Sequence, residues 1–218
     1  MIFVAAIFAA IFAALTPTIL RKLPEPENST PEKIPYVELA QTPHLAVGCA
    51  ALAALLSGMI AGQASQHHAL PVWIVLCSAG VALAFIDLRT RLLPFALVTP
   101  MTLAIGSLLL VATLVSSDWA SLVRAFACGF AVWGFYRLSW QLSKKSIGYG
   151  DVRLSFALGA CLGYVSITAT VFGVWLGFAI GATAALLTLR NRALANHSIP
   201  FGPAMIAGAV LSLAIYVP

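Results

Sequence analysis

Charged residues are scarce in this sequence, and acidic residues are the scarcest. Only 9% of the 218 residues are charged and 61% are hydrophobic, and Asp and Glu together number seven. Roughly a quarter of the residues in a soluble globular domain are charged, whereas the mean hydropathy of this chain is +0.98. The composition therefore excludes an ordinary soluble domain and predicts an integral membrane protein.

Paired cysteines and basic stripes are also missing. Each of the four cysteines lies within an apolar stretch, and no Cys-x-x-Cys pair occurs. This pattern indicates neither a zinc site nor a disulfide framework, and we expect no metal or other cofactor. The net charge of +5 comes from twelve Lys and Arg residues. They are confined to a few places, which is typical of membrane loop anchors and argues against a nucleic-acid partner.

Long apolar stretches alternate with short polar connectors. Because a helical crossing needs about 20 mainly apolar residues, the polar and Pro/Gly breaks define eight candidate spans. They are approximately 2–20, 44–62, 70–88, 97–115, 120–141, 151–164, 168–189 and 200–217. The sequence thus predicts an all-α, polytopic membrane bundle of about eight transmembrane helices. We expect residues 1–218 to form a single transmembrane domain, with 21–41 as a cytoplasmic loop.

Lys and Arg alternate between connectors. The basic connectors are 21–41, 88–96, 142–150 and 190–199, and those without Lys or Arg are 63–69, 116–119 and 163–168. By the positive-inside rule the basic connectors are cytoplasmic, so both termini are predicted to lie outside. Arg124 is the exception, near a predicted outer end, where we expect its side chain to snorkel.

The stretch 154–189 is short for two crossings at about 1.5 Å of rise per residue. If it were one long helix, Arg190 and Arg192 would face outward. The charge pattern therefore favours two crossings, with a break near Gly163 and Tyr164.

Two acidic residues lie beside apolar spans. All four glutamates fall within 21–41 and Asp118 lies in a short connector, which leaves Asp87 and Asp151. An ionisable side chain at a membrane helix is costly, and its default interpretation is a functional site with a nearby partner. Because the predicted topology places Asp87 and Asp151 at the same cytoplasmic end, we interpret them as partners.

A carboxylate pair of this kind can activate water against an amide without a metal. Two close carboxylates cannot both ionise easily, so one serves as the acid and the other as the base. Asp87 ends its span and Asp151 begins its own, so their helix dipoles differ in sign, and we expect Asp87 to hold its proton more readily. Gly148 and Gly150 are expected to adopt positive φ and to leave room for an extended substrate.

Simpler roles are open for each residue taken singly. Asp151 could be only a helix N-cap, and Asp87 could be only an interfacial partner of Arg89 or Arg91. Arg153 could pair with Asp151 or with a substrate carbonyl. The occurrence of the two aspartates at one end favours the dyad over these alternatives.

Three motifs resemble those of the type IV prepilin peptidases. In Phe-Ile-Asp-Leu-Arg-Thr-Arg-Leu-Leu-Pro, Asp87 is followed seven residues later by Pro94, as in the first aspartate motif of that family. Ile-Gly-Tyr-Gly-Asp-Val-Arg-Leu at 147–154 is similar to their second motif, Gly-x-Gly-Asp-x-Lys-Leu, with Arg153 in the usual Lys place. Ile-Pro-Phe-Gly-Pro at 199–203 resembles their late element. The three matches occur in the expected order over about 83–215.

The resemblance implies an aspartic endopeptidase of a prokaryotic cytoplasmic membrane that removes the basic leader from prepilin or pseudopilin precursors at the cytoplasmic face. Asp87 and Asp151 would be its catalytic pair. The residues expected to shape the site or bind substrate are Gly148, Gly150, Arg153 and Pro94. Long members of the family carry Cys-x-x-Cys zinc ligands after the first span and methylate the new N-terminus. Because 21–41 is short and contains no cysteine, we expect a short form that acts as a peptidase only.

Two other classes of function fit a pair of membrane carboxylates. A proton-coupled transporter binds protons or cations with such groups, but its site lies near the midplane, often within an inverted repeat. A catalytically silent subunit would only scaffold a pilus or secretion machine. Replacing either aspartate by asparagine should abolish turnover by a peptidase and leave a scaffold unaffected, whereas a transporter should show flux that depends on a pH gradient without any peptide substrate.

Overall fold

The computed structural model describes residues 1–24, 34–63, 67–142, 148–190 and 200–217. Several residues of the basic connectors and of the motifs lie outside these ranges. They are Glu25, Glu27, Glu32 and Lys33 in connector 21–41, Lys144, Lys145 and Ile147 in connector 142–150, and Arg192 and Ile199 in connector 190–199.

The described residues form α-helices, one short 3₁₀ helix at His67–Ala69 and no strand. The helices are α1 (Ile2–Ala14), α2 (Thr16–Lys22), α3 (Tyr36–Leu39), α4 (Leu45–Gln63), α5 (Leu70–Thr90), α6 (Phe95–Ser116), α7 (Trp119–Leu142), α8 (Tyr149–Val165), α9 (Ile167–Arg190) and α10 (Gly202–Tyr216).

Every predicted span coincides with helix. The first corresponds to α1 and α2 together, and the other seven correspond to α4 through α10 in order. Within the described ranges, five helical segments are long and apolar enough to cross a membrane: Ile2–Lys22, Leu45–Gln63, Leu70–Thr90, Phe95–Ser116 and Ile167–Thr188. The prediction of an all-α, polytopic membrane bundle is confirmed. The number eight and the outside location of both termini stay predictions.

The outer surface of the bundle is apolar, as lipid requires. Phe3, Val115 and Trp175 are each more than half exposed, whereas Trp73 and Leu83 are buried in the core. A large apolar surface of this kind would favour aggregation of a soluble protein. Around a membrane bundle it is the surface that contacts the acyl chains.

The stretch 154–189 is divided into two helices. Ser166 separates α8 from α9 with an extended backbone (φ −167°, ψ 162°), and its hydroxyl accepts a 2.9 Å hydrogen bond from the N–H of Ala169. Ser166 is therefore the N-cap of α9. A Cβ on Gly173 would lie 2.7 Å from Leu162, so α9 turns back along α8. This reversal favours two crossings, although the predicted break at Gly163 and Tyr164 is two to three residues too early.

Arg124 does not snorkel, and that prediction is wrong. Its Nε donates to the carbonyl of Gly163 (2.7 Å), and its Nη2 donates to the carbonyls of Tyr164 (2.6 Å) and Val165 (3.1 Å). The last carbonyls of a helix have no intrahelical partner, and they lie at the negative end of its dipole. Arg124 therefore caps α8 and holds α7 against it.

Gly173, Gly177 and Gly181 form a stripe of small residues on α9 that packs closely against α10. A Cβ on Gly208 would lie 2.6 Å from the carbonyl oxygen of Gly173 and would also overlap the backbone nitrogen of Gly177. A Cβ on Gly181 would overlap the ring of Phe201. Small residues allow such close backbone approach between membrane helices. The stripe thus holds the start of α10 in place.

Replacing Gly208 with alanine is expected to destabilise the protein by roughly 1–3 kcal/mol, because the added methyl group forces α9 and α10 apart. Gly106→Ala is the control, since no atom lies within 4 Å of the added Cβ and alanine favours helix. Denaturant unfolding of the purified variants in detergent measures both. Equal stabilities of the two variants would contradict this packing.

Candidate active site

Asp87 lies in the last turn of α5 and is 4% exposed. Its Oδ2 accepts a 3.0 Å hydrogen bond from the backbone N–H of Gly202, the first residue of α10. The N-terminus of a helix favours a carboxylate because it is the positive end of the dipole. Asp87 therefore lies at the negative end of α5 and at the positive end of α10. Because these two dipoles oppose each other, helix ends alone do not assign the acid and the base of the pair, and stronger proton binding by Asp87 stays a prediction.

Arg89 and Arg91, the two arginines near Asp87, do not pair with its carboxylate in the ranges that the structure describes. The guanidinium of Arg89 lies 5.7 Å from the ring of Phe85. Arg91 ends α5 in the left-handed conformation (φ 55°), and its N–H donates to the backbone oxygen of Asp87 at 2.8 Å. Within the described part of the chain neither forms an ion pair with the Asp87 carboxylate. The interpretation of Asp87 as a simple interfacial partner is not supported.

Asp151 lies in the first turn of α8 and is 7% exposed. The N-cap of this helix is Gly148, so the interpretation of Asp151 as the N-cap is wrong. The backbone of Gly148 forms a hydrogen bond with the Asp151 carboxylate, and the Asp151 N–H donates to the carbonyl of Gly148 at 3.1 Å. This reciprocal contact resembles a capping box. It fixes the carboxylate against the turn.

The expected positive φ at Gly148 and Gly150 is wrong. Gly148 has φ −64°, and no described glycine has a positive φ. Both glycines instead permit close approach. A Cβ on Gly148 would lie 3.2 Å from Oδ2 of Asp151, and a Cβ on Gly150 would lie 2.6 Å from Cβ of Leu93. The space beside Gly150 is therefore filled by Leu93 rather than left open for a substrate.

Leu93, in the connector between α5 and α6, links the two aspartates. It packs against Gly150, the residue before Asp151, and a Cβ on Gly202 would lie 3.2 Å from its Cδ1 and 2.8 Å from Oδ2 of Asp87. Through these contacts of Leu93 and Gly202, the structure places Asp87 and Asp151 at the same end of the bundle. Leu93 lies inside the first aspartate motif, but an apolar residue beside a membrane span gives no sequence signal for this role.

Tyr136 on α7 is a neighbour of the pair that the sequence analysis missed. It is 2% exposed, and its ring is stacked on Phe178 at 5.6 Å and tilted against Phe201 at 6.2 Å. Phe201 immediately precedes Gly202, so this aromatic cluster packs beside the start of α10, where the N–H of Gly202 binds Asp87. A tyrosine inside an apolar span gives no sequence signal for such a role.

Arg153 and Pro94 lie beside the pair rather than within it. The guanidinium of Arg153 is 4.6 Å from the ring centre of Phe95 and 4.8 Å from that of Tyr149. Among the described residues it makes no ion pair with Asp151. Pro94 is the N-cap of α6. Arg153 also lines a largely apolar groove of about 310 Å³ that includes Phe95, so its position suits contact with a substrate.

In the ranges that the structure describes, no group of three or more His, Cys, Asp or Glu residues could hold a metal ion. The candidate site contains two buried carboxylates, of which Asp87 is bound by a backbone N–H, with Leu93 packed beside them. Such a site can transfer protons to and from water and a bound amide.

Residues 74–188, which include both aspartates, match the sequence profile described as the type IV leader peptidase family. The chain is 30% identical over 154 residues to leader peptidase HopD of Salmonella typhimurium, covering 69% of this chain and 97% of that protein. No solved structure matches the chain.

Other relatives are longer. The chain is 31% identical over 190 residues to the prepilin leader peptidase/N-methyltransferase of Stutzerimonas stutzeri, covering 85% of this chain and 60% of that protein. It is 34% identical over 140 residues to the protein of the same name from Burkholderia pseudomallei (strain 1026b), covering 63% of this chain and 44% of that protein. The chain therefore spans about half the length of these two relatives.

Proposed function

The chain belongs to the type IV leader peptidase family, and on that premise we propose that it is an aspartic endopeptidase. Its substrates are type IV prepilins or pseudopilin-like precursors, from which it removes the basic leader peptide. The observation that supports this proposal best is the meeting of Asp87 and Asp151, both buried, through Leu93 and Gly202.

The reaction needs two carboxyl groups in different protonation states and one water molecule. The ionised carboxylate accepts a proton from the water, whose oxygen attacks the carbonyl carbon of the scissile amide. The protonated carboxyl group donates a hydrogen bond to the amide and later gives its proton to the leaving nitrogen. Because two close carboxylates do not both ionise easily, the pair is proposed to share one proton. Burial strengthens these interactions because it excludes bulk water.

The site is proposed to lie at the cytoplasmic face of the inner membrane. Leu20 of α2 and Ile86 of α5 belong to the same buried cluster, so the ends of these helices lie together. Arg21 and Lys22 occupy the last turn of α2, and Arg153 follows Asp151 on α8. Basic residues near this end support a cytoplasmic location by the positive-inside rule.

We further propose that residues 1–218 act as one transmembrane peptidase domain without methyltransferase activity. The two longer relatives are named prepilin leader peptidase/N-methyltransferase, and the chain covers 60% or less of each. The relative that the chain covers almost completely is named leader peptidase alone.

Cleavage of a purified prepilin by the detergent-solubilised protein tests the proposal. We expect mass spectrometry to show two products separated at the leader junction, with equal rates in the presence and absence of a chelator. The new N-terminus should stay unmethylated when S-adenosylmethionine is added. If no pilin or pseudopilin precursor is cleaved by folded protein, the peptidase proposal fails. Ion flux driven by a pH gradient without peptide would then indicate a transporter.

Replacing Gly150 with alanine is expected to lower the rate of cleavage by roughly 10- to 100-fold. The added methyl group displaces Leu93, and a shift of about 1 Å near reacting groups costs rate on this scale. Gly48→Ala is the control, since nothing lies within 4 Å of its added Cβ. A Gly150→Ala variant that cleaves as fast as this control would show that Gly150 and Leu93 do not oppose each other as described.

A further inference from the structure

A second polar site lies at the other end of the bundle, well away from the aspartates. Asp151 occupies the first turn of α8 and Tyr164 its last turn, a separation of roughly 20 Å at 1.5 Å per residue. Beside Tyr164 is a cavity of about 180 Å³, lined by polar groups that include Trp73, Asp118, Ser121 and Arg124. We call it the distal cavity. None of its residues takes part in the proposed cleavage.

Two buried polar groups of the distal cavity lack a partner within the described residues. Trp73 is 2% exposed and Tyr164 is 4% exposed. Neither the indole N–H of Trp73 nor the hydroxyl of Tyr164 forms a hydrogen bond there. A buried donor without an acceptor is costly. A ligand that accepts hydrogen bonds would remove that cost.

Arg124 adds a positive charge with unused donors. Its Nε and Nη2 cap α8, and Nη2 also donates to the hydroxyl of Ser121 at 2.9 Å. Nη1 carries two further N–H groups, which have no partner among the residues the structure describes. A guanidinium with two free N–H groups is a strong site for a phosphate oxygen.

Asp118 adds a negative charge to the same cavity. Its Oδ1 accepts the N–H of Ser121 and its Oδ2 accepts the hydroxyl of Ser121. The hydrogen bond from the Ser121 hydroxyl, and next the one from its N–H, hold the pKa of Asp118 below its usual range. The carboxylate is therefore ionised at neutral pH. Ser121 lies between Asp118 and Arg124. The cavity therefore presents a negative group and a positive group on opposite sides of one hydroxyl, and a ligand that carries both charges can contact both.

The surroundings of the distal cavity are apolar. Leu114, Val115 and Trp119, beside the connector that holds Asp118, are all more than half exposed. Exposed tryptophans are typical of the boundary between membrane and water. A ligand with a charged head and apolar chains therefore matches both the cavity and the surface around it.

We propose that the distal cavity binds the headgroup of a phospholipid that carries a phosphate and a primary ammonium. The phosphate contacts Arg124, Trp73 and Tyr164, and the ammonium contacts Asp118. A primary ammonium can donate hydrogen bonds to the carboxylate, which a quaternary choline cannot. An anionic headgroup such as glycerol phosphate meets the repulsion of Asp118 without compensation. This site is independent of the proposed peptidase activity.

Native mass spectrometry and thermal unfolding of delipidated protein test the proposal. The added lipids are phosphatidylethanolamine, phosphatidylcholine and phosphatidylglycerol with identical acyl chains. We expect one phosphatidylethanolamine to bind about tenfold more tightly than either of the others. It should raise the unfolding temperature. Equal binding of all three lipids would overturn the proposal.

Variants separate the headgroup site from general lipid binding without disturbing the cap on α8. Tyr164→Phe and Trp73→Phe should each weaken phosphatidylethanolamine binding several-fold. Asp118→Asn should remove the preference over phosphatidylglycerol. Tyr216→Phe and Trp175→Phe are the controls, because both rings pack on Phe172 and do not line the cavity.

If the cavity variants bind phosphatidylethanolamine as tightly as the control variants do, the distal cavity is not its binding site. A free ion is the other source of the same chemistry. If inorganic phosphate or water-soluble phosphoethanolamine stabilises the protein as much as the lipid does, and the effect is lost in Tyr164→Phe, the cavity is a site for a free anion. That result would overturn the lipid proposal.

Discussion

Replacing Asp151 with asparagine is expected to lower kcat for leader cleavage by roughly 10³- to 10⁴-fold, and replacing Asp87 is expected to have the same effect. Asparagine has nearly the same shape and can still accept the hydrogen bonds from Gly148 or Gly202. It cannot take a proton from water or give one to the leaving nitrogen. The loss should therefore appear in kcat rather than in KM.

Glu38→Gln provides a matched control, because Glu38 is an exposed acid on α3. Leu39, its neighbour, belongs to the same buried cluster as Ile86 of α5, so the control lies near the same end. It should cleave at the wild-type rate. All variants should unfold within a few degrees of wild type. An aspartate variant that retains a tenth of the wild-type kcat would show that its carboxyl group is not catalytic.

Replacing Gly202 with alanine is expected to lower kcat by roughly 100-fold without unfolding the protein. The added Cβ would lie 2.8 Å from Oδ2 of Asp87 and 3.2 Å from Cδ1 of Leu93. Either the carboxylate or the start of α10 must move, and the hydrogen bond between Gly202 and Asp87 is lost. Misplacement of a reacting group by about 1 Å has effects of this size.

Gly134→Ala is the control for Gly202→Ala, since nothing lies within 4 Å of its added Cβ. Cleavage kinetics and thermal unfolding of both variants in the same detergent separate an effect on the site from an effect on the fold. A Gly202→Ala variant that cleaves within twofold of wild type would show that this contact does not position Asp87.

The spans were predictable because each long helix corresponds to an apolar stretch of sequence that is bounded by polar or Pro/Gly residues. The connection between α8 and α9 was harder to locate. Gly163 and Tyr164 looked like the break, but Arg124 supplies donors for their carbonyls and lets α8 continue to Val165. That contact joins residues 39 to 41 positions apart. Hydropathy carries no information about it.

The two aspartates were predictable from scarcity, because few acids lie beside apolar spans and loop charges place these two at one end. The groups that hold them were not. Leu93 and Tyr136 are ordinary apolar and aromatic residues in sequence, and their role depends on the packing of α7, α9 and α10. The glycines were predicted to matter for the wrong reason, since close approach to Leu93 and Asp151, rather than positive φ, requires them.

The most direct test of the dyad compares kcat of Asp87→Asn, Asp151→Asn and the double variant on one prepilin, by mass spectrometry over long incubations. If the two carboxyl groups act as one unit, the double variant should be no more than about threefold slower than the slower single variant. Losses that multiply in the double variant would mean that the two residues act independently and would contradict a shared catalytic pair.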